Sequence, residues 1–139
     1  IVVFLCDRHS ILKLAPDFNH FNRGLYLQWL FFFSNSLQTA YQMTYRSGRF
    51  CSSANEYFIV KQRAITRLEE LWKIVDSGIG KNKWLLGDYF SSVDVYLFML
   101  TTWLSRDDGH PLLQLFPNVY RIAEQVKERR SVQNVYQVT

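Results

Sequence analysis

Apolar residues recur at helical spacing over most of this chain, and one run breaks the pattern by being apolar on every side. That run is Val95-Tyr96-Leu97-Phe98-Met99-Leu100. A helix that is hydrophobic all round is buried among other helices, so the pattern predicts a central core helix from about Ser92 to Leu104. Ser91 is suited to its N-cap, and Asp94, three residues on, can return its carboxylate to the Ser91 amide to complete a capping box. That carboxylate also complements the positive end of the helix dipole. Phe90 and Val95 stand at the spacing of a hydrophobic staple. Just upstream, Trp84-Leu85-Leu86-Gly87-Asp88 reads as an apolar stretch closed by a turn at Gly87–Asp88.

Three further periodic stretches predict the helices around it. In the first, Leu25, Trp29, Phe32, Phe33, Leu37, Ala40 and Met43 form one broad face. The helix is expected to run from an N-cap at Asp17 to about Arg46, with Gly48 as its stop signal. Its opposite face carries Gln28, Asn35, Gln38, Gln42 and Tyr45, with Phe31 intruding. The second runs from about Ala54 to Asp76 behind a Ser53–Glu56 capping box, is stopped by Gly78 and Gly80, and aligns Phe58, Ile65, Leu68, Leu71, Trp72 and Val75. Glu69 and Lys73 on its exterior are spaced for an ion pair. The third opens at Pro117, a residue favoured at the first helical position, and aligns Tyr120, Ile122, Ala123 and Val126. Residues 111–116 have room for a turn of helix, and 131–139 for one short helix. Ile1 to His9 is apolar but too short for periodicity to separate strand from helix. No strand alternation or Asn-Gly hairpin follows Pro16. The expected fold class is all-α, a bundle of five to six helices around the central one.

Composition narrows the class without supplying a function. A chain of 139 residues that is 48% hydrophobic and 17% aromatic is expected to pack as one globular unit. Sixteen Lys and Arg against twelve Asp and Glu give +4, without the clustered basic excess of a nucleic-acid binder. No apolar run is long enough for a membrane span, since the nearest, Leu25 to Phe33, is broken by Gln28. Cys6 and Cys51 read as reduced thiols of a cytoplasmic protein, with a Cys6–Cys51 disulfide as the alternative. The opening Ile1-Val-Val-Phe-Leu-Cys6 lacks the basic lead and cleavage site of a signal peptide and reads as the middle of something longer.

Candidate chemistry is sparse. His9, His20 and His110 are scattered, and no metal-ligand spacing is present. Gly78-Ile79-Gly80-Lys81 follows a helix, where a phosphate loop needs a strand, and reads as a helix C-cap. Glu69–Glu70 and Asp107–Asp108 read as solvated charges, and Lys127, Arg129 and Arg130 as a helix end complementing its dipole. The polar stripe on the first long helix is the exception. It reads either as a wet outer face or as the lining of a cleft or subunit interface. In the second reading Asn35, Gln38, Gln42 and Tyr45 orient a polar ligand and Phe31 supplies an apolar wall.

In order and spacing these motifs resemble the C-terminal helical domain of glutathione S-transferases. The carrying residues are Leu14-Ala15-Pro16, Arg23 with Leu27-Gln28-Trp29-Leu30, Leu68, Leu71 and Trp72, and Phe116-Pro117. The most specific are Trp84-Leu85-Leu86-Gly87-Asp88 and Ser91-Ser92-Val93-Asp94, which look like the family's folding signature. The resemblance implies that residues 1–13 are the end of the last helix of a thioredoxin-like domain plus a linker, and that 14–139 are the helical domain. It implies that the thiol-activating residue lies in the thioredoxin-like half, so no catalytic residue is assigned in this chain. It also implies glutathione as co-substrate with no metal, a small electrophile as second substrate, a cytoplasmic homodimer, and a role in detoxification. Nucleic acid and membrane are not expected as partners. By helix position, Phe31, Asn35, Gln38, Gln42 and Tyr45 would wall the electrophile pocket, while Ser91 and Asp94 serve folding. Bacterial beta-type members place a His-Lys pair where this chain has Gln38-Thr39, which leaves the class open. The alternative is a non-catalytic interaction module of the same fold, as in stringent starvation proteins and translation-factor appendages.

Overall fold

The computed structural model describes residues 1–136, and among these there is no strand. The first helix, α1 (Val2–Arg8), leads into a 3-10 turn at Ser10–Leu12. Next, α2 (Arg23–Phe32) continues through a π-helical turn, Phe33–Leu37, into α3 (Gln38–Tyr45), so that the three segments make one rod. Then come α4 (Tyr57–Ile79), α5 (Ser92–Thr101), α6 (Pro117–Lys127) and α7 (Arg130–Tyr136). Thus six rods carry an all-α bundle, as the periodicity predicts. The α3 segment packs along α4, and α5 lies between α2 and α6. Trp72, Tyr26, Tyr41, Phe33, Leu97, Leu100 and Phe116 are fully buried between them. The expected central helix is therefore the core element, with Val93, Asp94, Leu97, Phe98, Leu100 and Thr101 buried.

Several boundaries differ from the sequence reading, each for a local reason. The first rod starts at Arg23, because 17–22 are taken up by turns in which His20 N–H donates to Asp17 O and Arg23 N–H to His20 O. The guanidinium of Arg23 then bridges Asp7 and the Pro16 carbonyl at 2.8 Å each, tying α1 to the bundle. Gly48 is not a left-handed stop. It lies in a 3-10 turn, Ser47–Phe50, and the buried Ser47 hydroxyl ends the rod by donating to the Met43 and Thr44 carbonyls at 2.7 and 3.0 Å. The π turn inserts one extra residue, which carries everything beyond it about 100° further around the rod. Tyr41 and Thr44 join Ala40 in the core, where the uninterrupted period expected Met43.

On α4 the Ser53–Glu56 box does not form as expected. Glu56 Oε2 accepts instead from Ser52 N–H at 2.7 Å, Ala54–Glu56 is a 3-10 turn, and the α-helix starts at Tyr57. Phe58 is exposed, and the core side is carried by Ala64, Leu68, Leu71, Trp72, Val75 and Ile79. The helix also passes through Gly78 and ends only at Gly80, whose φ of +51° suits a residue without Cβ. Gly78, the penultimate residue of α4, makes room for Trp29 to pack on it: a Cβ there would stand 2.8 Å from Trp29 Cη2. The Trp29 indole N–H is buried with no hydrogen-bond partner among the described residues. The Glu69–Lys73 pair forms at 2.6 Å, and Cys6 and Cys51 are free thiols.

The central helix is three residues shorter than expected. The Thr101 and Thr102 hydroxyls donate to the Phe98 and Met99 carbonyls, and the last amides tighten to the third residue back. Pro117 does open α6. That helix buries Val119, Ile122, Ala123 and Val126, leaving Tyr120 outside the apolar stripe assigned to it. Its N-terminus is capped from another helix: Asp76 Oδ1 accepts from Asn118 N–H at 2.7 Å and Val119 N–H at 3.0 Å. Of the short C-terminal helix expected over 131–139, α7 covers the part to Tyr136, and the remainder lies outside the described residues.

Candidate functional site

The Ser91–Asp94 signature forms and is more than a helix cap. Both halves of the capping box are present, with Ser91 N–H donating to Asp94 Oδ2 at 2.8 Å. The Ser91 hydroxyl also donates to Oδ2 at 3.2 Å, and Oδ1 accepts from Leu85 N–H at 2.9 Å. Leu85 belongs to the Trp84–Gly87 turn, in which Trp84 and Gly87 exchange backbone hydrogen bonds and Gly87 takes φ +78°. One fully buried carboxylate thus joins that turn to the start of α5. Burial pushes the Asp94 carboxyl up to about 6, against the lowering by the Leu85 and Ser91 donors. The Phe90 ring, expected to staple onto Val95, meets Trp84 edge-to-face at 4.9 Å and lies under the Arg129 guanidinium at 3.9 Å. Val95 is the exposed residue of α5.

About three turns along from this cap, the residues that follow α5 face α3 across an open cleft of about 460 Å³. Its lining is Gln38, Tyr41, Gln42 and Tyr45 from α3, with Thr102 and Trp103 from beyond α5. The structure therefore brings Gln38, Gln42 and Tyr45 of the predicted stripe together, since spacings of four and seven keep them on one helix face. Phe31 and Asn35 do not line the cleft. They precede or occupy the π turn, which rotates them away from that face, and both are exposed.

Sequence reasoning missed Tyr41, Thr102, Trp103 and Tyr96. Tyr41 carried a signal, lying three residues from Gln38 and four from Tyr45. The other three had none, because their approach to α3 spans 58 or more residues of sequence in a contact such as Tyr96–Gln38. Tyr96 donates its phenol proton to Gln38 Oε1 at 2.6 Å while its ring stands edge-on to Phe33. Tyr41 donates to Leu100 O at 2.8 Å, and Tyr45 to Trp103 O. Burial raises all three phenols above their ordinary value, so they stay protonated near neutral pH and act as donors.

Behind the cleft, the ring of His110 packs against Tyr41 and Tyr45. Its Nδ1 accepts from Ser105 N–H at 3.2 Å, which leaves the proton of the neutral ring on Nε2 to donate to Thr44 Oγ1 at 2.9 Å. Burial holds the imidazole below its ordinary value, and the nearby Asp108 carboxylate opposes that. His110 thus pins the loop after α5 as a neutral strut. Among the described residues no three His, Cys, Asp or Glu side chains converge as metal ligands would. Among the described residues no helix is long and apolar enough to cross a membrane.

The family model for the glutathione S-transferase C-terminal domain matches residues 39–129, well over half of the chain. No individual curated sequence matches it. Among solved structures, a glutathione transferase homologue from Sulfitobacter with bound glutathione is similar at TM-score 0.84 and 19% identity, over 97% of this chain and 64% of that one. BphK, a bacterial GST seen in a ternary complex, gives 0.80 and 25% identity over 97% and 63%. The beta class glutathione S-transferase of Sphingomonas chungbukensis gives 0.78 and 20% over 98% and 63%. This chain spans just under two thirds of the length of these structures.

Proposed function

Because this chain belongs to the glutathione S-transferase family through its C-terminal domain, we propose that it is the helical half of an enzyme conjugating glutathione to small electrophiles. In this reading the cleft between α3 and the exit of α5 is the wall against which the electrophile lies. The observation that carries it is the composition of that wall. Gln38, Gln42, Tyr41, Tyr45, Thr102 and Trp103 combine aromatic surface with neutral polar groups and include no ionised side chain. Such a lining suits a small, largely apolar molecule that needs orientation more than charge pairing.

The chemistry assigned to the complete protein is attack by the glutathione thiolate on the electrophile. A carbon–sulfur bond forms, the leaving group departs with its electron pair, and the thiol proton passes to a base outside this chain. The residues here bind and orient. Two observations support a further, thioredoxin-like domain against α1. Val2, Phe4 and Leu5 on that helix are exposed, as are Ile11 and Leu12 after it, and Arg23 bridges to Asp7 as if to hold α1 for docking. Residues 1–13 are then the junction, and the protein works as a cytoplasmic homodimer in detoxification.

Calorimetric titration of the full-length protein with glutathione is the test. Saturable binding in the micromolar-to-millimolar range, about 4 to 8 kcal/mol, is the expected result. No detectable heat or competition up to several millimolar would sink the reading in favour of a non-catalytic module.

A further inference from the structure

We propose that His110 is a proton-operated latch: neutral, it holds residues 103–105 against α3, and protonated, it releases them and with them the Trp103 side of the cleft. This movement of the wall is independent of what the cleft binds.

The two ring nitrogens respond differently to a proton. Thr44 lies on α3, and its hydroxyl proton is committed to the Tyr41 carbonyl at 2.9 Å. Its oxygen can therefore only accept from His110, which puts the proton of the neutral ring on Nε2. That contact survives protonation, because Nε2 carries a proton in both states. Nδ1 is the opposite case. Its lone pair accepts from Ser105 N–H at 3.2 Å, and a proton placed there leaves two donors facing each other. One nitrogen is a lasting anchor on α3, and the other makes a contact that exists only in the neutral form.

The ring has little room to turn away. It is buried, with the Tyr41 and Tyr45 rings packed edge-on at 5.7 and 5.1 Å between centroids. The backbone has to move instead. Ser105 is the hub of its loop, its carbonyl accepting from Asp108 N–H at 3.2 Å and His110 N–H at 3.1 Å. Trp103, two residues back, lines the cleft. The Trp103 carbonyl, which accepts from the Tyr45 phenol, stands close enough to the imidazole to favour its charged form. The new Nδ1–H therefore competes with Tyr45 for that carbonyl. Two contacts that place Trp103 weaken in one step.

Among the described residues, the charged groups that face the ring are Asp108 and Lys61. Asp108, from the same loop, favours the imidazolium; Lys61, from α4, opposes it, and the two are paired at 3.8 Å. The Tyr41 and Tyr45 phenols of α3 stay protonated and bear no charge. Burial outweighs Asp108 and keeps the imidazole below its ordinary 6.5. The latch is therefore closed above about pH 6.5 and opens as pH falls through that lowered value.

The test is NMR of the isotope-labelled full-length protein, from about pH 8 down to the acid limit of its native fold. Three signals are followed: the His110 ring, the Ser105 amide, and the Trp103 indole N–H identified by its loss in Trp103→Phe. Asp94 titrates at about 6 at the far end of α5, so only these local signals decide. All three should move together, with one midpoint below 6.5. In His110→Asn, whose Oδ1 can take the Ser105 N–H without titrating, the Ser105 and Trp103 signals should stay fixed. Asp108→Asn keeps the ring but removes the carboxylate that favours its charge, and should shift the common midpoint to lower pH. A ring that titrates while Ser105 and Trp103 stand still overturns the proposal, as does a ring that stays neutral until the protein unfolds. Movement of the two signals retained in His110→Asn overturns it as well. So does a midpoint that Asp108→Asn leaves in place or raises, a result that stands even if His110→Asn fails to fold.

Discussion

Asp94→Ala should lower the unfolding free energy by about 4 kcal/mol near pH 4, because it removes the acceptor for two buried backbone donors, each worth about 1–3 kcal/mol when orphaned. Those donors are the amides of Leu85 and Ser91. The loss exceeds that of an ordinary exposed N-cap, about 1 kcal/mol, because the same carboxylate also fastens the Trp84–Gly87 turn. The pH dependence separates this from a generic loss of packing. Burial raises the Asp94 carboxyl to about 6 in the folded chain, from an ordinary 3.8. Between those two values the folded state holds a proton that the unfolded state has released. Stability from this group is therefore full below about pH 3.8 and falls as pH rises through about 6. At 1.36 kcal/mol per unit, the loss totals about 3 kcal/mol. Urea unfolding of wild type and variant at stepped pH should show the gap between them narrowing by about that amount toward pH 7. A gap that is constant with pH, or absent, contradicts the assignment of Asp94.

The second large effect is expected at Asp76→Ala, at about 2–3 kcal/mol. Its Oδ1 caps α6 from the side of α4, accepting from Asn118 and Val119, while Oδ2 accepts from the Asn118 side chain at 3.1 Å. Removing it strands the first amides of a helix that begins on Pro117 and has no side-chain cap of its own. Asp76→Asn, which keeps one carbonyl oxygen for the two amides, should recover about half of the loss. Hydrogen exchange at the amides of Asn118 and Val119 checks the mechanism. Both should speed up in the alanine variant ahead of the rest of α6, and unchanged exchange would show that the cap is not made by Asp76.

These two carboxylates mark the limit of what the sequence could show. Asp94 was legible as a cap because the box is a local, three-residue contact, yet its bond to Leu85 was not, since nothing in a capping pattern points to a turn nine residues upstream. Asp76 read only as a helix end, because its partner lies 42 residues away. The all-α class and the central position of α5 were legible for the reason that periodicity and burial are averages over many residues. The cleft was half legible. Gln38, Gln42 and Tyr45 share a face by simple helical spacing, whereas Phe31 and Asn35 were assigned with them on the assumption of an unbroken rod. No residue type announces a π turn at Phe33–Leu37, so the rotation that separates the two groups was invisible. The opposite wall was invisible too, because Tyr96, Thr102 and Trp103 belong to a helix and its exit that read only as core.

Steady-state kinetics on the full-length protein carrying Gln42→Trp tests the central claim most directly. Gln42 is exposed on α3, so an indole there fills the cleft from its rim without disturbing the core. If the electrophile lies against this wall, KM for the electrophile should rise at least about tenfold, a loss of about 1.4 kcal/mol, with KM for glutathione within about twofold of wild type. Unchanged KM values for both substrates, or a rise confined to glutathione, would contradict the claim that this cleft holds the electrophile.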